Sequence, residues 1–313
     1  MGVVFLGTPD FAVPSLEAFI NSKHEVVCVV TQPDKPVGRS NELKFSAVKN
    51  CALKHGIQVL QYDKISTQGV SELSTLGADV FVTCAYGQIL SKDILDIPRK
   101  GTFNVHASLL PKYRGASPIQ QAVINGDKET GVTIMKTEVG LDSGDIVLVE
   151  KTQIGEDETA GELFDRLALI GANLIVDALD LIDNDSVKFI PQDESKATFV
   201  KQLKKADAEI DFSKTCKEIK SFVNGMQPWP CAFTFLNGLI LKIYKVNAVN
   251  CNCENSRYAI GEVVSADIKS GLKVNCGNGF LEICELQLQG AKRMQAKDFL
   301  LGRKIKVGDV LGK

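Results

Sequence analysis

Short apolar runs alternate with segments of helical spacing through the first 180 residues of the chain. The runs are apolar at consecutive positions, which is typical of strands that are buried on both faces. Strands separated by helices indicate a parallel sheet covered on each side, because the helices form the crossover connections. We therefore predict an α/β fold with an N-terminal doubly wound, Rossmann-like, mostly parallel sheet. The predicted strands span residues 3–6, 26–30, 58–60, 80–84 and 103–106.

The pattern changes after residue 130. The runs TGVTIMKTE and DIVLVE predict two successive strands joined by the turn VGLDSG. A long helix follows, because apolar residues recur at steps of three and four from Leu163 to Ala178. A shorter helix is predicted to begin at Ser117-Pro118 and to end at Gly126, since a hydroxyl, a proline and a glycine are typical of those positions.

Residues 190–206 are polar and charged, and we interpret them as a linker. The predicted domains are therefore 1–189 and 207–313. The second domain begins with a predicted helix over residues 216–226. Short β-like runs follow, separated by Gly and Asn, and this spacing predicts a small, OB-like β-barrel. These runs are FTFL, LKIYKV, GEVVSA, LKVNC and FLEICELQL.

Charge is distributed unevenly along the 313 residues. Residues 205–313 contain 16 Lys and Arg against 11 Asp and Glu, whereas the first 204 residues contain 20 against 27. A basic C-terminal third of charge +5 beside a body of charge −7 fits an appendage that binds nucleic acid. An unevenly charged, solvated surface fits the same numbers equally well.

The nine cysteines are scattered and contain no CxxC pair. Cys251 and Cys253 are the closest pair, and two such residues are too few for the four ligands that structural zinc requires. We expect reduced thiols and no metal. The chain has no apolar run of about 18 residues, so we expect no membrane span, and it begins without the pattern of a signal peptide.

Candidate chemistry lies in the segment NVHASLLPKYRG. Asn104 and His106 close a predicted buried strand, and alternation along a strand places their side chains on the same face. An amide donor and an imidazole can hold an oxyanion and move a proton, which suits attack on a carbonyl by a substrate amine. A buried histidine bonded to the backbone is an equally good interpretation of this spacing. Dinucleotide binding is disfavoured, because the first strand is followed by Gly7-Thr8-Pro9 rather than by GxGxxG.

The stretch from NVHASLLPKYRG to GLDSGDI resembles the formyltransferases that use 10-formyltetrahydrofolate. The shared elements are Asn-x-His, SLLPxxRG and the aspartate of GLDxG, at matching spacing. The resemblance implies that Asn104 and His106 stabilise the oxyanion. It also implies that Asp142 holds His106 and assists the movement of the proton, directly or through water.

The same resemblance implies a site for the folate donor, in which main-chain groups grip the pterin and SLLP lines the cofactor. The implied residues are Tyr86, Gly87, Gln88, Ile89, Ser108, Leu109, Leu110, Pro111, Val139, Gly140 and Leu141. Without the resemblance, AYGQIL would be interpreted simply as a strand end and a helix start.

Within this family, the likeness extends over the whole chain to the branch that formylates the methionyl group of initiator tRNA. FLGTPDFAVPSLEAF, TQPDKPVGR and MQPWPCAFTF carry it. The resemblance implies that the basic loop 32–49 enters the acceptor stem, although Ser40-Asn41-Glu42 replaces the lysines often found there. The expected tRNA-binding residues are Lys35, Arg39, Lys292, Arg293, Arg303 and Lys304.

Three alternatives stay open: formylation of an aminosugar nucleotide, a non-enzymatic nucleic-acid-binding protein, and a nicotinamide oxidoreductase. The first is the nearest alternative, the second leaves Asn104, His106 and Asp142 without a role, and the third lacks the glycine fingerprint. We expect a monomer in a bacterial cytoplasm.

Overall fold

The computed structural model describes residues 1–37, 42–249, 257–302 and 305–312. The chain forms two compact units. The first comprises Met1–Pro118, Glu129–Gln153 and Phe164–Val200; the second comprises Ile119–Lys128, Ile154–Leu163 and Lys201–Lys313. Residues 190–200 of the predicted linker thus group with the first unit, while the predicted domain limits remain a prediction.

The first unit is built on a seven-stranded sheet with the order β10-β9-β7-β6-β1-β2-β5. The five strands from β7 to β5 in that order pair in parallel, and β9 and β10 pair antiparallel at one edge. The predicted mostly parallel sheet is confirmed. The strands of the chain up to residue 200 are β1 Gly2–Gly7, β2 Glu25–Thr31, β3 Lys35–Val37, β4 Glu42–Lys44, β5 Val59–Gln61, β6 Val80–Cys84, β7 Thr102–His106, β8 Arg114–Gly115, β9 Glu129–Lys136, β10 Ile146–Gln153 and β11 Phe199–Val200.

Helices cover the sheet, and its central strands are buried. Residues 3–6 of β1 and residues 80–82 of β6 are fully buried, as expected for parallel strands packed on both faces. The helices of the same part of the chain are α1 Val13–Ile20, α2 Ala47–Lys54, α3 Ile65–Gln68, α4 Val70–Ser74, α5 Lys92–Leu95, α6 Pro118–Ile124 and α7 Ala160–Asp183, with short 3-10 helices at Asp10–Ala12 and Glu194–Lys196.

The second unit is a six-stranded antiparallel sheet with the order β12-β13-β16-β15-β14, in which β17 also pairs with β16. The predicted small β domain is confirmed, although β12 and β14 stand at opposite ends of this order and do not pair with each other in the described ranges. Its elements are α8 Cys216–Gly225, β12 Phe233–Leu236, β13 Leu239–Val249, β14 Val263–Asp267, β15 Gly271–Cys276, β16 Gly279–Leu288, β17 Met294–Gln295 and α9 Ala296–Leu301, with a 3-10 helix at Lys205–Ala208.

Helix α8 begins where its sequence predicts. The Thr215 hydroxyl accepts a hydrogen bond from the amide of Glu218, and the Glu218 carboxylate accepts one from the amide of Thr215, which completes a capping box. Its buried side chains, which include Ile219 and Val223, belong to the core of the second unit. No helix in the described part of the chain is both long and apolar enough to cross a membrane.

Candidate active site

Strand β7 carries the predicted pair on one face of the central sheet. Val105 faces the other side, where a Cβ added to Gly171 of α7 would lie 2.7 Å from its Cγ1 atom. This close approach requires a glycine in α7 and leaves no room for a polar group there. Because side chains alternate along a strand, Asn104 and His106 both point to the opposite face.

His106 is buried, with 5% of its surface exposed. Its Nε2 atom lies 3.0 Å from the carbonyl oxygen of Tyr113, and since a carbonyl only accepts, Nε2 carries a proton. In the neutral ring, Nδ1 is then the unprotonated nitrogen. Nδ1 faces the Asp142 Oδ2 atom at 3.7 Å, which is too long for a hydrogen bond but close enough for an ion pair once the ring is protonated. The sequence also allowed a buried histidine bonded to the backbone, and this bond is present. It sets the tautomer of the ring.

Asp142 is brought to His106 by the turn between β9 and β10. Its φ of +47° lies in the left-handed region, where Asp is tolerated better than most residues. Its Oδ2 atom accepts a hydrogen bond of 2.8 Å from the amide of Gly115. A Cβ on Gly144 would lie 1.9 Å from the Lys136 carbonyl oxygen, so the turn passes against β9 closely enough to require glycine. The turn thus holds the carboxylate in a defined direction.

The Asn104 amide is hydrogen-bonded through its oxygen but not, among the described residues, through its nitrogen. Its Oδ1 atom accepts a hydrogen bond of 2.8 Å from the Thr83 hydroxyl, a residue of the neighbouring strand β6. The Nδ2 group donates to no acceptor in the parts of the chain that the structure describes. Thr83 therefore fixes which way the amide points and leaves its two N–H groups available to a ligand.

The residues implied for the folate divide into buried and exposed sets. Ser108 is fully buried, and its hydroxyl donates to the carbonyl of Lys112, so its side chain supports the turn. By contrast, Ile89, Val139 and Leu141 are 86, 68 and 58% exposed. Leu169 and Phe199 are exposed to a similar degree, so exposure leaves these three side chains available to a ligand without identifying one. Leu110 is buried, while Leu109, Pro111 and Gly140 are less so.

The AYGQIL segment is held in place by hydrogen bonds of its own Gln88 side chain. The Gln88 side chain donates to the Tyr62 carbonyl and accepts from the amide of Ile65, which anchors the segment after β6. Tyr86 is buried in the core, and burial raises the pKa of its hydroxyl to about 12. Gly87 has a φ of +88°, which favours glycine at this bend. The Tyr86 carbonyl also accepts hydrogen bonds from the side chains of Thr8 and Gln32, so Tyr86 and Gln88 shape the segment, and Ile89 is the side chain left exposed to a ligand.

The basic loop contains a short hairpin, in which β3 and β4 pair antiparallel and Lys35 stands opposite Lys44. Both lysines are exposed and form no ion pair with any described residue. Lys49 is different, because it bonds to Asp34 and Gln61 and lies 4.1 Å from the centre of the Phe45 ring. Burial raises the pKa of Asp34, but the hydrogen bonds from Lys49 and Gln61 outweigh it and hold that pKa below its usual value. The predicted contact residue Arg39 lies outside the described residues.

The basic residues of the second unit also differ from one another. Lys292 is exposed and makes no ion pair within the described ranges. Arg293 donates two hydrogen bonds to Glu285, at 2.6 and 2.7 Å, and stacks 4.1 Å from the centre of the Tyr244 ring. Arg303 and Lys304 lie outside the described residues.

In the described part of the chain, no cluster of three or more His, Cys, Asp or Glu side chains is arranged to bind a metal. The seven cysteines in that part are free thiols, and Cys251 and Cys253 lie outside it.

Several residues that hold the site were not identified from the sequence. Thr83 orients Asn104, the Tyr113 carbonyl sets the tautomer of His106, and the Gly115 amide binds Asp142. Tyr113 and Gly115 lie within NVHASLLPKYRG, so their place in that motif could have identified them. For Thr83 the sequence offers no signal beyond a hydroxyl in an otherwise apolar predicted strand.

Comparisons with known proteins identify the family. A family model described as formyl transferase matches residues 1–179, and one described as formyl transferase, C-terminal domain, matches residues 202–304. The methionyl-tRNA formyltransferase of Lachnospira eligens is 47% identical over 100% of both chains, and that of Ruminiclostridium cellulolyticum is 46% identical, also over 100% of both.

A solved N-formyltransferase from Helicobacter canadensis, in complex with folinic acid and dTDP-3-aminofucose, has a TM-score of 0.68. It covers 93% of this chain and 99% of its own at 20% identity, a level at which the likeness shows the fold alone. The two family models and the relatives matched along their whole length show that the chain belongs to the formyl transferase family, within the group of methionyl-tRNA formyltransferases.

Proposed function

We propose that the chain transfers the formyl group of 10-formyltetrahydrofolate to the free amino group of methionyl-initiator tRNA. Relatives that carry the name methionyl-tRNA formyltransferase match it end to end at 43–47% identity. The observation that carries the chemistry is the arrangement on β7. The Asn104 Nδ2 group has no acceptor among the described residues, and beside it lies an imidazole whose unprotonated nitrogen faces a carboxylate.

The donor supplies a formyl group at N10, and the chain supplies the groups that act on it. The Asn104 Nδ2 group donates to the formyl oxygen, which becomes negatively charged as the amine adds. His106 accepts a proton at Nδ1, and the Asp142 carboxylate at 3.7 Å stabilises the resulting imidazolium. The imidazolium then gives this proton, which came from the amine, to the leaving N10. The C–N bond to the amine forms and the C–N10 bond breaks, so atoms and charges balance.

The residues around this pair fit a folate in their chemistry. Ile89, Val139 and Leu141 expose apolar surface that a flat pterin and its aromatic linker can cover. The bends at Gly87 and Gly140 offer backbone groups to the donor and acceptor edge of a pterin. Folate derivatives are present in solved structures with this fold, which supports a folate as the donor.

The acceptor is proposed from charge. Lys35 and Lys44 lie opposite each other on the hairpin without a carboxylate partner in the described residues, and like charges in that position destabilise a hairpin. A phosphate backbone placed across them would relieve the repulsion. Lys292 offers a further cation without a described partner, whereas the charge of Arg293 is already paired with Glu285. The proposal includes Arg39, Arg303 and Lys304 on the resemblance alone, and a monomer working in the bacterial cytoplasm.

The test is formyl transfer from 10-formyltetrahydrofolate to charged initiator tRNA, comparing the wild type with His106→Ala. We expect transfer by the wild type and a large loss in the variant. An exposed histidine, His55, provides the matched control, and His55→Ala should keep full activity. Transfer only to an aminosugar nucleotide, or full activity in His106→Ala, would contradict the proposal.

A further inference from the structure

The segment from residue 190 to residue 200 bonds to the backbone that holds both acid-base groups, although its sequence looks like a linker. It belongs to the first unit, as do His106 and Asp142. Ile190 forms a backbone bridge with Ile146, at the end of the turn that carries Asp142. Further along, β11 pairs in parallel with β8, so Val200 stands opposite Gly115.

Gln192 is the residue of this segment that holds the Asp142 turn. Its Nε2 group donates to the carbonyl of Asp142 at 2.9 Å and to the carbonyl of Gly144 at 2.7 Å. Both N–H groups of the amide are therefore used on one turn. Because Asp142 has a φ of +47°, an unfavourable conformation for a non-glycine residue, bonds to its own carbonyl help to keep it there.

The other end of the Gln192 amide is fixed by a buried arginine. Its Oε1 atom accepts from the Nε and Nη2 groups of Arg114, at 3.1 and 2.8 Å. Arg114 is 2% exposed and also forms two hydrogen bonds with Glu194. A guanidinium is always charged, so the amide cannot flip without placing its own N–H groups against those of Arg114.

The same segment also holds the support of His106. The Thr198 hydroxyl accepts a hydrogen bond of 2.8 Å from the amide of Tyr113, a residue with a φ of +61°. The Tyr113 carbonyl is the group that accepts from His106 Nε2. The segment thus contacts the turn that carries Asp142 through Gln192, and the backbone that sets the His106 tautomer through Thr198.

We infer that Gln192 is a positioning residue for formyl transfer, which acts by holding the backbone of Asp142, and that Thr198 supports His106 in the same way. This inference rests on the proposed function. It predicts a role in turnover for residues that touch neither the formyl donor nor the amine.

The experiment compares Gln192→Glu and Gln192→Met with the wild type in transfer to charged initiator tRNA. Glu keeps the size of the side chain and the bond to Arg114 but loses both donors to the turn, whereas Met loses every bond. We expect kcat to fall about 10- to 100-fold in both variants, as for a displacement of about 1 Å at a reacting group. The KM for tRNA should stay within about twofold, because the basic residues are unchanged.

Thermal stability separates positioning from mere folding. Gln192→Glu should melt above Gln192→Met, because the carboxylate keeps the bonds to buried Arg114 that the Met side chain loses. If kcat instead follows the melting temperature, so that the Glu variant is fully active, Gln192 is only structural and the inference is wrong. Glu194→Gln is the matched control for the exposed partner of Arg114, and it should keep kcat.

If the proposed function is wrong, the wild type itself will fail to formylate charged initiator tRNA. This outcome is distinct from a failure of the inference on Gln192, in which the wild type is active and the variants match it. Thr198→Val provides the second arm. It removes the acceptor for the Tyr113 amide at nearly constant size, and it should lower kcat without raising the KM for tRNA.

Discussion

At the scale of single residues, the candidate site depends on which end of each polar group is already engaged. Thr83 occupies the oxygen of Asn104, and Tyr113 occupies Nε2 of His106. What remains is an amide donor and an unprotonated ring nitrogen beside a carboxylate. These are the groups that a reaction through an oxyanion uses, and each is aimed by a bond that the protein has already made.

The amide of Asn104 can be tested by removing its donor. Asn104→Ala should lower kcat by about 10²- to 10³-fold, the usual loss when one oxyanion donor is removed, with a smaller effect on KM. Asn104→Asp should be as severe, because an ionised carboxylate only accepts. Steady-state kinetics with charged initiator tRNA measures both.

Thr83→Val is the matched control for the orientation of this amide. It leaves the donor in place but lets it rotate, so its loss in kcat should be clearly smaller than that of Asn104→Ala. An Asn104→Ala enzyme with wild-type kcat would exclude Asn104 from the oxyanion role.

At the scale of elements, two very short strands matter as much as the large sheet. Pairing of β8 with β11 places the Gly115 amide where it binds Asp142. The hairpin of β3 and β4 likewise holds Lys35 against Lys44. Both pairs of strands are short, and each places groups of the candidate site: the Gly115 amide in one and the two lysines in the other.

Gly115→Ala tests the pairing of β8 and β11. The φ of Gly115 is +111°, and an added Cβ would lie 2.3 Å from the Val200 carbonyl oxygen, so the strands must separate. We expect the free energy of unfolding to fall by about 1–3 kcal/mol and kcat to fall with it, because the amide moves away from Asp142. Denaturant unfolding and kinetics measure the two effects.

Gly56→Ala is the control for backbone conformation alone, since Gly56 has a φ of +68° with open space around its Cβ position. It should lower stability by about 1 kcal/mol and leave kcat unchanged. If both variants keep kcat, the Gly115 amide does not position Asp142.

The hairpin lysines predict a salt-dependent phenotype. Lys35→Ala and Lys44→Ala should each raise the KM for tRNA and make the slope of log affinity against log salt less steep by about 1, because one phosphate contact is lost. The value of kcat should stay the same. Lys92→Ala, which removes an exposed lysine paired with Asp96, should change none of these values; an equal effect there would argue against a specific hairpin contact.

At the scale of the whole molecule, each unit has its own buried core. One apolar cluster of the first unit includes Leu6, Phe81 and Ile94, and the cluster of the second includes Leu241, Val274 and Leu286. The single tryptophan, Trp229, lies in the second unit. Its fluorescence therefore follows the unfolding of that unit, while circular dichroism follows both.

A folate that binds the first unit should stabilise that unit selectively. At 100 times its dissociation constant, 5-formyltetrahydrofolate should contribute about 2.7 kcal/mol, which raises the melting temperature of a unit of this size by about 5–10 °C. The transition followed by Trp229 should move much less. p-Aminobenzoylglutamate, which lacks the pterin, is the control; equal shifts of both signals would mean that the two units unfold together.

Local sequence patterns were enough to predict the elements and to propose the reacting groups. Strand β7 and helix α8 follow from local spacing and capping, and the resemblance identified Asn104, His106 and Asp142 as one set. Apolar periodicity and turn residues are local properties, so a pattern of a few residues is enough to predict an element.

How these groups are held depends on contacts between distant parts of the folded chain. Gln192 lies 50 residues from Asp142 along the chain, and Thr198 lies 85 residues from Tyr113. Hydrogen bonds over such separations leave no periodicity in the sequence, because a single polar residue in a polar segment looks the same whether it meets solvent or a buried carbonyl. The tautomer of His106 and the direction of Asp142 are therefore properties of the folded chain.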